Sequence, residues 1–434
     1  MTVHSRRALA QDPSARAKPR VTELRLSAFA GHRGAAFPLG PLTLFAGPSG
    51  SGKSSALRAY EALALLGAGV ELVDVFPEPT RCVPERARAD GQARRGFRIG
   101  CTVDGPAGPV RLDVAVQAEP ELRIAGERLT RDGLTLLETA LRDPGRRAVQ
   151  AAWHTAGAAP VTRAPLPDDR LGTALLPLRV AGKTDGQRLV LAAAEQVVVA
   201  LRSVFTCDPR PGRMRAPVPP GLVGAGRLLG GCDNLAEVLW RTRSECGNRH
   251  AQLVAALRSG CAGPVADVLA EETRDGALRA LLDRGDGVRT CVGRLGDGEL
   301  RYLALALVLL TGPRVLEVDP VAEVPEAYQS LTVLADGFDR CLDQRQKRAL
   351  ADLAARMCGR GHLRLIGAVA DATWAATATG VTVVDLGRSG AGAGGAEGGG
   401  GAGSRARSGA GRAGTGSTPA ARAARVPRSR RPGM

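Results

Sequence analysis

Leu42-Thr-Leu-Phe-Ala-Gly-Pro-Ser-Gly-Ser-Gly-Lys-Ser-Ser55 joins a short apolar run to a G-x-x-x-x-G-K-S loop. Gly47, Gly50 and Gly52 remove side chains where consecutive backbone N–H groups must curl around a phosphate. Lys53 supplies a point charge for β- and γ-phosphates, and the Ser54 hydroxyl suits Mg²⁺. Beyond the loop, Leu57, Tyr60 and Ala64 recur at helical spacing, so the loop should end on a helix N-terminus whose dipole favours anions. The strand–loop–helix order assigns Gly47, Pro48, Ser49, Gly50, Ser51, Gly52, Lys53, Ser54 and Ser55 to a nucleotide-phosphate site. Gly182-Lys183-Thr184 repeats the GKT letters but has Pro177 where the first glycine is needed.

Working outward, 434 residues suffice for one large core or two ordinary ones. Lysine accounts for only four of the 59 basic residues, a sign of high-GC coding bias that weakens any argument from arginine abundance. The formal charge of +16 is concentrated at the ends: residues 1–20 carry +4 and residues 387–434 carry +8, which leaves +4 for everything between. Nine cysteines, never in C-x-x-C spacing, read as reduced small hydrophobes rather than as disulfides or a zinc site. The five histidines are isolated in sequence, which gives a metal site no support. With no long apolar run and no signal-peptide pattern, the expectation is a soluble cytoplasmic protein without membrane insertion.

Five stretches follow from composition and periodicity. Residues 1–20 read as a disordered basic arm, and 387–434, rich in Gly, Ala, Ser and Arg, as a disordered tail. Residues 21–132 hold a strand at Thr22–Ala28, the phosphate loop, and an antiparallel hairpin from Phe97–Val103 and Val110–Val116, with a third strand at Leu122–Ile124. Residues 133–290 are expected to be mostly helical, an insertion or lid. Its helices are placed at Leu134–Leu141, Gln187–Phe205, Asn234–Arg243, His250–Leu257 and Val265–Glu272, and no sustained heptad supports a long coiled coil. From 291 to 386 the α/β pattern returns.

The second informative segment is Arg294-Leu-Gly-Asp-Gly-Glu-Leu-Arg-Tyr-Leu-Ala-Leu-Ala-Leu-Val-Leu-Leu310, in which a Gly-Asp-Gly turn opens an apolar helix and aims backbone N–H groups at an anion. Together with the phosphate loop it resembles the signature motif of ABC-type ATPases, in the "L-S-D-G-x-L-R-x-L-A-L" form found in compact AAA-family relatives of RecF and the SMC heads. Leu24-Arg-Leu-Ser-Ala-Phe29, Pro38–Leu44 and Asp233-Asn-Leu-Ala-Glu-Val-Leu239 resemble the same group. The resemblance spans residues 21–386 and implies an α/β P-loop fold of ABC-ATPase type, with a mixed sheet, an antiparallel β-subdomain and a helical insertion. It also implies an ATP-dependent homodimer. In such a pair Leu295, Gly296, Asp297 and Gly298 would contact the γ-phosphate of a nucleotide held by the partner copy, although Gly296 stands where the family has serine.

The family's Walker B carboxylate should end an apolar strand and hold Mg²⁺ with Ser54. Asp336, after Leu331-Thr-Val-Leu-Ala335, is the favoured candidate; it makes Val321–Ser330 an insertion and keeps the next helix and strand, Gln344–Met357 and Leu363–Val369, in the family's order. Asp319, after Val315-Leu-Glu-Val318, is the alternative. In the Asp336 register the acid that normally orients the attacking water becomes Gly337, and the family's histidine becomes Val369 or Ala370. Neither side chain can accept a proton. Asp339, or Glu317 with the alternative register, is left as candidate base. The expected activity is therefore ATP binding with slow or gated hydrolysis, or a non-hydrolysing ATP switch that docks a partner protein; tail arginines such as Arg425 and Arg428 read either as a DNA-phosphate contact or as a solvated tail, so the DNA link stays open. A P-loop kinase fits poorly, since it needs no signature turn.

Overall fold

The computed structural model describes residues 18–156, 160–220, 226–312, 315–316, 318, 330–375 and 378–387. The chain opens with β1 (Arg20–Phe29), β2 (His32–Pro38) and β3 (Leu42–Ala46), followed by α1 (Lys53–Gly67) and the single turn α2 (Leu72–Val75). Six strands come next: β4 (Arg95–Asp104), β5 (Val110–Glu119), β6 (Arg123–Arg131), β7 (Leu134–Ala140), β8 (Ala148–His154) and β9 (Val161–Pro167). Then follow α3 (Gly172–Arg179), α4 (Asp185–Arg202), β10 (Val204–Cys207), α5 (Pro211–Met214), α6 (Leu235–Glu245) and α7 (Gly247–Gly260). The last third contains β11 (Asp267–Glu272), β12 (Leu278–Gly285), β13 (Val288–Cys291), α8 (Asp297–Leu310), β14 (Leu331–Ala335), α9 (Gln344–Gly359), β15 (Leu363–Val369) and β16 (Val381–Asp385).

These strands form three sheets. The largest is antiparallel, in the order β2-β1-β4-β5-β6-β7-β8-β9; the central one runs β10-β14-β15-β3-β16, and β11-β12-β13 make a small meander. Every pairing in the central sheet is parallel. The expected mixed sheet is thus corrected: parallel and antiparallel pairings are segregated into separate sheets. Strands of a parallel sheet covered on both faces need apolar side chains in both directions. β3, β14 and β15 are accordingly buried at every position. Their alternating side chains feed two cores. Leu42, Leu44, Val333 and Leu365 pack with α6, α7, α8 and α9, while Phe45, Leu334 and Ile366 pack with α1, α4 and the inner face of the eight-stranded sheet.

Strand β1 and the β4–β5 hairpin form where the alternation placed them, and β6 extends the expected third strand to Arg131. The expected arm ends earlier than residue 20, because β1 begins at Arg20; residues 1–17 and 388–434 lie outside the described residues. The expected mostly helical 133–290 is a correction of substance. It holds α3 to α7, but Leu134–Leu141 is strand β7 and Val265–Glu272 becomes strand β11, with β8, β9, β10, β12 and β13 in the same stretch. The reason is turn chemistry: Asp132-Gly133 adopts positive φ (48° and 79°) between paired Arg131 and Leu134, and Asp286-Gly287 does the same (51° and 77°) between paired Gly285 and Val288. Asp-Gly is a favoured pair for a two-residue hairpin because both central residues need left-handed backbone. The expected helices at 187–205, 234–243 and 250–257 correspond to α4, α6 and α7. No helix among the described residues is long and apolar enough to cross a membrane.

Candidate functional site at the carboxyl edge of the parallel sheet

In an open α/β sheet, ligands bind beyond the carboxyl ends of the strands. Here the register aligns those ends: Cys207 pairs with Ala335, Ala335 with Gly367, and Val369 with Ala46. The next residues along each strand, Asp208, Asp336, Ala370 and Gly47, therefore share one edge.

After Ala46 the chain turns through Gly47, Gly50 and Gly52 at φ 152°, 81° and 93°, and α1 starts at Lys53. Gly52 is the N-cap of α1 in left-handed backbone, and its carbonyl accepts the Ala56 N–H at 3.0 Å. No acid occupies the first turn of α1, so nothing opposes an anion there. Lys53 Nζ folds back and donates to the Gly47 and Pro48 carbonyls at 2.7 and 2.8 Å. The Ser51 hydroxyl oxygen is enclosed without a hydrogen-bond partner, an orphan polar atom only 2.8 Å from where a Cβ on Gly47 would stand. Ser54 is exposed beside Lys53. Positive-φ glycines, an inward lysine and an orphan hydroxyl fit a nucleotide polyphosphate.

Asp336 follows β14 and is half-buried; its carboxylate makes no hydrogen bond or ion pair to a described residue. One strand, β15, separates it from β3, so it stands about two strand spacings, roughly 10 Å, from the phosphate loop. Glu317 and Asp319 lie outside the described residues. Gly337 has φ 60°, and a Cβ there would come within 2.7 Å of the Arg340 guanidinium. A glutamate at 337 would thus carry backbone strain and displace Arg340, so adding the missing acid there is not a clean test of catalysis.

Asp339 returns to the site from the far side of that turn. It is 8% exposed, and both its oxygens accept the Ala370 N–H at 3.3 Å, with Lys347 Nζ 3.8 Å away. The carboxylate thereby sits at the tip of β15, between Asp336 and the phosphate loop.

The signature turn lies on the other side of Asp336. Arg215 clamps it by donating to the Leu295 carbonyl at 3.0 Å and to Asp297 Oδ1 at 2.5 Å. Gly296 is the N-cap of α8, with open space where a Cβ would stand. At Gly298 a Cβ would come within 2.4 Å of the Cys341 carbonyl oxygen, so α8 rests directly on the turn that follows Asp336. No described hydrogen bond or ion pair joins 295–298 to 47–55 of the same chain.

Two residues here were not singled out from sequence. Arg301, 2% exposed in α8, donates to the Pro209 carbonyl at 2.6 Å, the Gly337 carbonyl at 2.9 Å and Asp208 Oδ1 at 3.2 Å. Its signal was a charge inside the apolar run Leu300–Leu310. Asp208 ends β10 as Asp336 ends β14, an acid after an apolar strand in both cases. Beside it, a hydrogen bond with Cys207 and then burial push the Cys232 thiol well above its ordinary range, which keeps it from acting as a thiolate.

The geometry defines a P-loop α/β protein. No family model and no curated protein matches the sequence. Among solved structures the chain is similar to the SMC head bound to the C-winged helix domain of ScpA, at 11% identity and TM-score 0.47, covering 84% of this chain and 94% of that one. It is similar to the SMC head domain from Thermotoga maritima at 12% identity and TM-score 0.39, covering 83% and 92%. A Pyrococcus furiosus Smc head with an extended coiled coil, bound to the C-terminal domain of ScpA, matches at 11% identity and TM-score 0.43, covering 85% and 94%. Likeness at this level is one of fold and carries no information on activity or partner.

Proposed function

We propose that this chain binds ATP with Mg²⁺ at the phosphate loop, pairs with a second copy through the bound nucleotide, and turns ATP over slowly. The observation that carries this reading is Lys53, folded onto the Gly47 and Pro48 carbonyls of its own glycine-rich loop, with Asp336, whose carboxylate has no partner among the described residues, on the same sheet edge. On binding, Lys53 exchanges those carbonyls for phosphate oxygens, and the loop amides and the α1 N-terminus take the remaining charge. Ser54 and Asp336 would hold the metal, with Asp319 the alternative ligand; Mg²⁺ there would supply positive charge against the phosphates. Asp339 would accept the proton of an attacking water, in competition with the Ala370 amide that its oxygens already meet and with Lys347 nearby. The clamped turn 295–298, unattached to its own loop, is available to a nucleotide held by a second copy.

A second reading is favoured by Gly337 and by Val369 or Ala370, which the resemblance puts where the family has an acid and a histidine to assist water. In it, ATP occupancy alone switches a docking surface for a partner protein. Asp339→Asn separates the two. If Asp339 is the base, turnover should fall about 100-fold or more at unchanged ATP affinity, read by phosphate release and calorimetry on one sample. Wild-type turnover at background, with tight binding, would instead establish the switch.

Gly296→Ser tests the pairing. The position has N-cap geometry (φ −66°, ψ 156°) and room for a side chain, so serine should stabilise α8 by a few tenths of a kcal/mol, about the usual gain over a glycine cap. Its hydroxyl would also reach the partner copy's phosphate, and ATP-dependent dimers should form at about 10-fold lower protein concentration. Light scattering with and without ATP checks this; an unchanged dimer threshold would argue against the turn's role in pairing.

A further inference from the structure

His32 opens β2 and is 8% exposed, its ring edge-to-face against Phe37 at 5.5 Å, while Phe37 packs in the same way on Phe45 of β3 at 5.2 Å. Its Nε2 lies 2.9 Å from the Gly52 carbonyl oxygen. That oxygen also accepts the Ala56 N–H, so both of its lone pairs are used. In a trans peptide the C=O and the N–H point to opposite sides. A Gly52 carbonyl turned toward His32 and the helix interior therefore turns the Lys53 N–H outward, where phosphate oxygens would arrive. The fit is mutual: Gly52 needs its left-handed φ of 93°, and a Cβ on it would stand 2.5 Å from His32 Nε2.

We propose that His32 is a positioning residue of the phosphate loop. The eight-stranded sheet delivers its Nε2–H to the Gly52 carbonyl, and this fixes the peptide whose N–H, with those of the α1 N-terminus, receives the phosphates of a nucleoside triphosphate. The inference rests on the ATP-binding reading above. It requires a proton on Nε2, because a ring protonated only on Nδ1 would set lone pair against lone pair.

The test compares full-length wild type, His32→Phe, His32→Gln and Lys53→Ala by calorimetric titration with Mg·ATP, with urea denaturation of each. Phenylalanine keeps a ring against Phe37 but has no donor; glutamine returns an N–H to the position of Nε2. His32→Phe should weaken ATP binding about 3- to 10-fold, the value of one hydrogen bond, and His32→Gln should recover most of that loss. Wild-type affinity in His32→Phe, or a loss that follows stability and is not recovered by glutamine, would overturn the proposal. Should wild type and Lys53→Ala both fail to bind, the ATP reading is what fails. The ring ¹⁵N shifts of His32 test the contact itself without nucleotide: an Nε2–H is expected, and the Nδ1–H tautomer would overturn the proposal whatever the outcome with ATP.

Discussion

Lys53→Ala should weaken Mg·ATP binding by roughly 10- to 100-fold, the range for losing a hydrogen bond to a charged group, without unfolding the protein. The side chain is half-buried and makes its two bonds only to Gly47 and Pro48 of its own loop. Its removal leaves those carbonyls at a solvent-accessible rim, where water replaces the ammonium at small cost. The bound state loses far more, because a triphosphate would keep its charge and lose the compact cation that meets it. Lys183→Ala is the matched control. It removes the lysine of the other GKT run, which lies in the loop before α4, and should leave affinity unchanged. Calorimetry on the two variants side by side reads the difference; equal affinities would mean that 47–55 is not the site.

Gly298→Ala carries the largest expected effect on stability, and its sign is unusual. Within a helix this change ordinarily stabilises by up to about 1 kcal/mol. Here the new methyl would meet the Cys341 carbonyl oxygen at 2.4 Å, and Cys341 is itself in left-handed backbone at φ 62°. Neither partner is a flexible side-chain end, so α8 must lift from the turn. Overpacking of this kind costs about 1–3 kcal/mol. Urea denaturation should show the loss, accompanied by a fall in ATP turnover or ATP-dependent pairing, since the same shift misplaces the signature turn and the Asp336 edge together. A variant as stable as wild type would show that α8 is not seated where the structure places it.

The contrast between what was legible in sequence and what was not follows the range of the interactions. The β3–loop–α1 unit could be read because its chemistry is local: burial of five consecutive residues, glycines at fixed offsets and a lysine all fall within 42–55. β15 and α9 were placed by the family's order of elements, and the structure adds an Asp343/Gln346 capping box at the start of α9. Strand β7 reads as a helix in sequence because Leu134, Leu136 and Leu137 satisfy either period over so short a run, and β11 is shorter still. The Asp-Gly pairs at 132, 275 and 286 were the better guide. Asp339 could be named as a candidate, but its attachment to the Ala370 amide could not, since it depends on how a turn folds back over the end of β15. His32 gave no sequence signal: an isolated histidine acquires meaning only when β2 and the phosphate loop are brought together.

Arg301 has a mechanical consequence. Its guanidinium, withdrawn from water, ties α8 to the Gly337 and Pro209 carbonyls at once. The helix that follows the 295–298 turn is thus bolted to the peptides beside Asp336 and Asp208, at the carboxyl ends of β14 and β10. Arg301 lies close behind the 295–298 turn, so a shift of that turn is shared with the peptides that follow β10 and β14. Were two chains paired as proposed above, a nucleotide that moved this turn would be felt at the Asp336 edge of the same chain through one buried arginine.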